Sequence, residues 1–146
     1  MKIFIKKASI KDANFFYDLR NEKKARSNFF NQKIIKYNAH LKWYKEKLKK
    51  KNTILLIAFI NSYQKIGYIK YEIKELMADV SLNIGKAFRK LGYGSKILKE
   101  SEKFLKNNLM IIARVKSRNK ASIKIFKKNN YKIVKENNNT VLIKII

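Results

Sequence analysis

The chain has 146 residues, enough for one domain with a real core, and 46% of them are hydrophobic, which excludes a disordered chain. With no cysteine, one histidine and ten acidic residues, it excludes disulfides, thiolate metal sites and a thiol nucleophile, and no metal site is expected. The formal net charge of +26 invites a polyanion partner, but only five of 36 basic residues are arginine and the lysines occupy every segment, a pattern of AT-rich coding rather than of specific nucleic-acid binding.

Lys2 to Lys7 alternates as a first strand, and Lys6 and Lys7 break its apolar run, so it lacks the anatomy of a signal peptide. The longest apolar run, Ile54 to Ile60, is too short to span a bilayer, and a cytoplasmic protein is expected. Asp12 to Arg20 reads as a helix with Phe15, Phe16 and Leu19 on one face and Ser9 or Asp12 as its cap. Glu22 to Lys36 is irregular. Asn38 is placed to cap a helix running to about Lys50, with Tyr37, Leu41, Tyr44 and Leu48 at helical spacing.

Thr53 to Ile60 and Gln64 to Ile73 read as an antiparallel hairpin through Asn61, Ser62 and Tyr63, and Met77 to Ile84 as the next strand. A helical pattern from Ser95 to Lys106 turns Ile97, Leu98, Ser101, Phe104 and Leu105 inward. Leu109 to Val115 is apolar throughout, as a central strand buried on both faces would be. Asn119 to Lys128 reads as a short helix, and Tyr131 to Lys135 with Thr140 to Ile146 as a closing hairpin. Neither an internal repeat nor a linker interrupts the chain, so residues 1–146 form a single domain. Its last strand is read as an edge, either covered within a monomer or paired across a homodimer.

Between the strand ending at Ile84 and the helix beginning near Ser95 stands Arg89-Lys90-Leu91-Gly92-Tyr93-Gly94. Helix N-termini offer unpaired N–H groups and a partial positive charge, and glycine lets the backbone approach an anion closely, so the stretch is built to hold phosphate. It resembles the Arg/Gln-x-x-Gly-x-Gly/Ala loop of the GNAT acyltransferases. About 30 residues on, Asn119, Ser122 and Phe126, followed by KKNNYK, are similar to that family's second signature. The resemblance spans nearly the whole chain, and the element order is that of the family: an α/β fold with a mixed, mostly antiparallel sheet flanked by about four helices.

The resemblance implies an enzyme that moves acetyl from acetyl-CoA to a primary amine by direct attack, with no metal. It implies that backbone N–H groups from Arg89, Lys90, Leu91, Gly92, Tyr93, Gly94 and Ser95 bind the pyrophosphate. Leu82, Asn83 and Ile84 would pair with the pantetheine amides and meet the thioester oxygen, and Asn119 would reach the pantetheine arm or the adjacent strand, with Ser122 and Phe126 completing the cofactor set. Phe126 departs from the pattern, since many relatives carry there a tyrosine that protonates the leaving thiolate. No general acid is therefore assigned.

For a base, Asp79 lies near the start of the strand where some relatives carry a catalytic glutamate, with a solvated or salt-bridged Asp79 the equal alternative; Glu72 is a second candidate, and a water chain with no dedicated residue a third. His40, with Trp43 one turn on, either lines the acceptor pocket as base or hydrogen-bond partner, or caps a core tryptophan. Arg20, Arg26, Phe29 and His40-x-x-Trp43 resemble the N-terminal half of enzymes acting on nucleotide-linked amino sugars of the pseudaminic-acid pathway type. That implies a nucleotide-linked 4-amino-deoxy sugar as the small-molecule acceptor, with Arg20 and Arg26 on its diphosphate or sugar and Phe29, Phe30 and Trp43 as stacking or packing walls. The alternatives are an N-terminal acetyltransferase of the ribosomal-protein type and a non-catalytic basic binding module on the same fold.

Overall fold

The computed structural model describes residues 2–146. A seven-stranded sheet with strand order β1-β2-β3-β4-β5-β7-β6 runs through it. The strands are β1 (Ile3–Lys7), β2 (Thr53–Ile60), β3 (Gln64–Lys74), β4 (Met77–Ile84), β5 (Met110–Lys116), β6 (Lys132–Glu136) and β7 (Asn139–Ile145). Every pairing is antiparallel except that of β4 with β5. The helices are α1 (Ala13–Asn21), α2 (Lys23–Ser27), α3 (Tyr37–Lys49), α4 (Tyr93–Ser101) and α5 (Lys120–Lys128). The mixed α/β architecture expected from the sequence is present, with five helices instead of about four.

Alternation along the strands gives the sheet two apolar faces, and each is covered by helices. On one side Phe16 and Tyr44 of α1 and α3 pack with Leu55, Ile57 and Tyr68. On the other, Ile97 and Leu98 of α4 and Ile123 and Phe126 of α5 pack with Leu56, Ile69, Tyr71, Ile111 and Leu142. Burial of that many apolar side chains, at about 25 cal/mol per Å² of area removed from water, supplies the main drive to fold.

Four expectations need correction. The stretch read as irregular contains α2, whose N-cap is Glu22, accepting from the Ala25 N–H at 2.7 Å. Asn38 lies inside α3 and caps nothing; the cap position is Lys36, which makes no side-chain cap bond. α4 ends at Ser101, five residues early, where the buried Ser101 hydroxyl turns back to the Leu98 carbonyl at 2.8 Å and meets the Tyr71 hydroxyl at 2.7 Å. A serine bonded to its own preceding turn competes with helix continuation. The C-terminal strand β7 is not an edge, because β5 and β6 flank it and leave it no free side for a dimer partner.

Candidate active site at the parted strands

β4 and β5 pair only from Met77↔Met110 to Val80↔Ala113. Beyond that point Ser81–Ile84 pair with β3 alone and Arg114–Lys116 with β7 alone. The two strands therefore part, and the backbone groups of Ser81–Ile84 that point away from β3 have no strand partner, the Ile84 carbonyl among them accepting from Arg89 Nε at 3.0 Å. A gap between parallel strands offers unused N–H and C=O groups to an extended, amide-bearing ligand.

The loop at the end of β4 completes the opening. A turn of 3-10 helix (Lys86–Phe88) leads to Arg89; Lys90 and Gly92 then take positive φ values of 61° and 84°. Gly92 is the N-cap of α4 and supplies no side-chain cap bond. The N–H groups of Gly94 and Ser95 lie in the first turn, where no intrahelical carbonyl reaches them. A Cβ on Gly92 would have nothing within 4 Å, so the space before the helix is open, whereas one on Gly94 would lie 2.5 Å from Ile125 Cδ1 and 2.8 Å from Ile84 Cδ1. The first glycine gives the backbone its turn and its open approach. The second lets α4 sit close against β4 and α5. Ser95 Oγ is held by the Asn129 amide at 2.9 Å.

This cradle fits the diphosphate of acetyl-CoA: an open, helix-capping glycine, the first-turn N–H groups of Gly94 and Ser95 that no intrahelical carbonyl reaches, and a basic surround. Bound there, acetyl-CoA would supply an activated acetyl group on a thioester; the chain supplies the anion cradle and the strand edge that orient it.

Three residues of the expected cofactor set make their contacts within the protein. Asn119 caps α5, its Oδ1 accepting from Ser122 N–H at 3.2 Å. Phe126 is buried in the core with its ring 5.0 Å from that of Tyr131. Asn83 faces the α1 side, donating to the Leu19 carbonyl at 3.0 Å.

Arg20, Arg26 and Phe29 gather at the elbow between α1 and the strap of residues 28–36, where the arginines hold backbone. Arg20 donates to the Asn31 carbonyl at 2.8 Å with its guanidinium 4.1 Å over the Phe29 ring. Arg26 donates to the Asn21 and Gln32 carbonyls at 3.0 and 3.4 Å. Asn21 closes the strap by exchanging bonds with both backbone groups of Ile35.

His40 and Trp43 sit elsewhere, between α1 and α3. His40 is 2% exposed and donates from Nε2 to the Ala13 carbonyl at 2.9 Å. Burial lowers its pKa, and the bond to Ala13 offsets this only in part, so the ring is neutral and walled off from any acceptor. Of the two readings open for His40, the structure favours the packing one. Trp43 is half-buried, with the Lys70 ammonium 5.3 Å over its ring.

Asp79 points to the α1 face, away from Val80, and is ion-paired with Arg114 beside the point where the strands part. Glu72 lies between Lys70 and Lys47, at 2.7 and 3.2 Å. Burial pushes its carboxyl up, but the lysines outweigh that and the net direction is down, which makes it a poor base.

Sequence reasoning missed a groove on this face, alongside the part of β5 that has left β4. Arg114, Lys116, Arg118 and Lys135 line two adjoining cavities of about 400 and 340 Å³, with Phe30, Gln32, Ser117 and the turn Asn137–Asn139. The register explains the grouping: Arg114 and Lys135 both pair with Val141, and Lys116 with Asn139. Lys116 and Arg118 each donate to the Ser27 carbonyl, at 3.3 and 2.5 Å. Among the described residues no acidic side chain lines the groove, although Asp79 pairs with Arg114. Among those same residues no cluster of histidine, cysteine and carboxylate suits a metal.

The acetyltransferase (GNAT) domain model matches residues 2–132. The fold is shared with a domain from Methanocaldococcus jannaschii (20% identity, 99% of each chain covered, TM-score 0.87) and with a GNAT-family acetyltransferase from Streptococcus pneumoniae (19%, 99% of each, 0.78). It is shared too with the spermidine N-acetyltransferase of Vibrio cholerae, solved with CoA and spermine (14%, 99% of this chain and 94% of that one, 0.84). No curated protein matches the chain in sequence. The chain belongs to the GNAT acetyltransferase family and is an acetyl-CoA-dependent N-acetyltransferase.

Proposed function

We propose that the protein acetylates the primary amine of an anionic small molecule, a nucleotide-linked 4-amino-deoxy sugar. The observation that carries this reading is the groove beside the parted strands, with four cations and no acid in its lining. Such a surface attracts a diphosphate and repels a polycation, so a polyamine such as the spermine bound by the Vibrio neighbour suits it poorly. The same argument disfavours the basic N-terminus of a ribosomal protein. The exposed Phe30 ring offers a flat apolar face to a base or sugar beside those charges.

In this reading the sugar amine meets the thioester where β4 and β5 separate, and the diphosphate lies along Lys116, Arg118 and Lys135. The amine attacks directly, the carbonyl oxygen gathers charge near a β4 backbone N–H, and the thiolate leaves without a protein acid, as Phe126 requires. Asp79, paired with Arg114 next to this point, is the remaining candidate to draw the amine's proton, directly or through water.

Thiol release from acetyl-CoA tests it, with a UDP-linked 4-amino-dideoxy sugar beside spermidine and a basic N-terminal peptide. Release with the sugar alone is expected. Release with spermidine or the peptide and none with the sugar would refute the acceptor assignment.

A further inference from the structure

The side chain of Arg89, first residue of the phosphate loop, does not point to the cofactor cradle. Its Nε donates to the Ile84 carbonyl at 3.0 Å, and its two terminal nitrogens reach the Glu22 carboxylate at 3.0 and 3.4 Å. Glu22 in turn caps α2, the first turn of the segment that becomes the strap over the acceptor groove. Both side chains are about three-quarters buried, at 22% and 27% exposure. Arg20, Arg26 and Asn21 bond the strap to the elbow, Lys33 N–H bonds to Asn31 within it, and Lys116 and Arg118 hold only the Ser27 carbonyl at the end of α2.

The Glu22–Arg89 pair thus joins the two halves of the site across 67 residues of sequence. A two-pronged guanidinium–carboxylate pair fixes orientation as well as distance, which a lysine in place of Arg89 would not do. The Arg89 hydrogen bond holds the Glu22 carboxyl below its ordinary range, more than burial raises it, so the pair stays charged at neutral pH.

We propose that Glu22 and Arg89 are positioning residues that transmit occupancy of the cofactor loop to the acceptor strap, so that acetyl-CoA binding sets the acceptor wall in place. Ordering the backbone of residues 89–95 fixes Arg89, which fixes Glu22, the α2 N-terminus and residues 28–36 behind it. The coupling rests on the loop being the CoA cradle and is independent of which amine is the acceptor.

Amide hydrogen exchange with and without CoA, on the wild type and Glu22→Gln, tests this without an acceptor. The Glu22→Gln side chain keeps an oxygen to cap α2 but loses the charge. In the wild type CoA is expected to slow exchange in both 89–95 and 28–36; in Glu22→Gln the protection of 89–95 persists and that of 28–36 is lost. Glu22→Asp, which keeps charge and cap but retreats by one methylene, should lose most of it as well. Strap protection that survives in both variants would overturn the proposal. So would a strap loosened equally with and without CoA, which would make the pair a static brace. Absence of protection at 89–95 in the wild type would instead sink the cradle itself, and the coupling with it.

Discussion

Two residues carry separable predictions. Gly92 sits at φ 84° with open space before it. A side chain there meets left-handed backbone strain on the order of 1–2 kcal/mol and projects from the turn that we propose receives the diphosphate. Gly92→Val should abolish CoA binding while costing little more than that in stability. His40 behaves in the opposite way. His40→Ala opens a buried cavity and removes a donor, and should cost roughly 2 kcal/mol in denaturant unfolding while leaving kcat within about threefold. Loss of turnover with stability intact would restore His40 to the catalytic set. Its titration gives a further check. Because the folded pKa lies below 6.5, the unfolded chain takes up the proton first, so stability should fall as pH drops from 6.5 toward the folded value. In a His40→Gln variant that component of the pH dependence should vanish.

At the scale of elements, Asn119 is a capping residue whose loss is measurable by itself. Asn119→Ala removes the bond to Ser122 N–H and should cost about 1 kcal/mol, read as a lowered unfolding midpoint. The strands are legible in the sequence because alternation is a local signal: β2 and β4 fall where the sequence places them, at Thr53–Ile60 and Met77–Ile84. The phosphate loop is legible for the same reason, since a strand, a basic turn with two glycines and a helix lie within some twenty residues. α2 is not, because five residues cannot display a helical period and glutamate is not a preferred cap. The early end of α4 is hidden too, as it depends on Tyr71, thirty residues away, holding the Ser101 hydroxyl.

The basic groove shows what only the assembled molecule reveals. Arg114, Lys116 and Lys135 come together because β7 lies between β5 and β6, a topology that periodicity leaves open. In a chain of 36 basic residues nothing marks those three apart from the rest. Arg118 stands one residue before the Asn119 signature and is the one member with a signal in the sequence. Arg20 and Arg26, which the sequence offers as phosphate ligands, hold the strap backbone in the structure. Arg118→Ala and Lys135→Ala should each raise the KM for a diphosphate-linked amino sugar about tenfold, the loss of one charge-assisted contact, with the KM for acetyl-CoA unchanged.

The central claim is that residues 89–95 and the parted edge of β4 form the acetyl-CoA site. Calorimetric titration of CoA into the wild type and into folded Gly92→Val tests it most directly. Saturable one-to-one binding by the wild type and none by the variant is the predicted result. Equal affinity in both, with the variant's fold intact, would place the cofactor elsewhere and contradict the account.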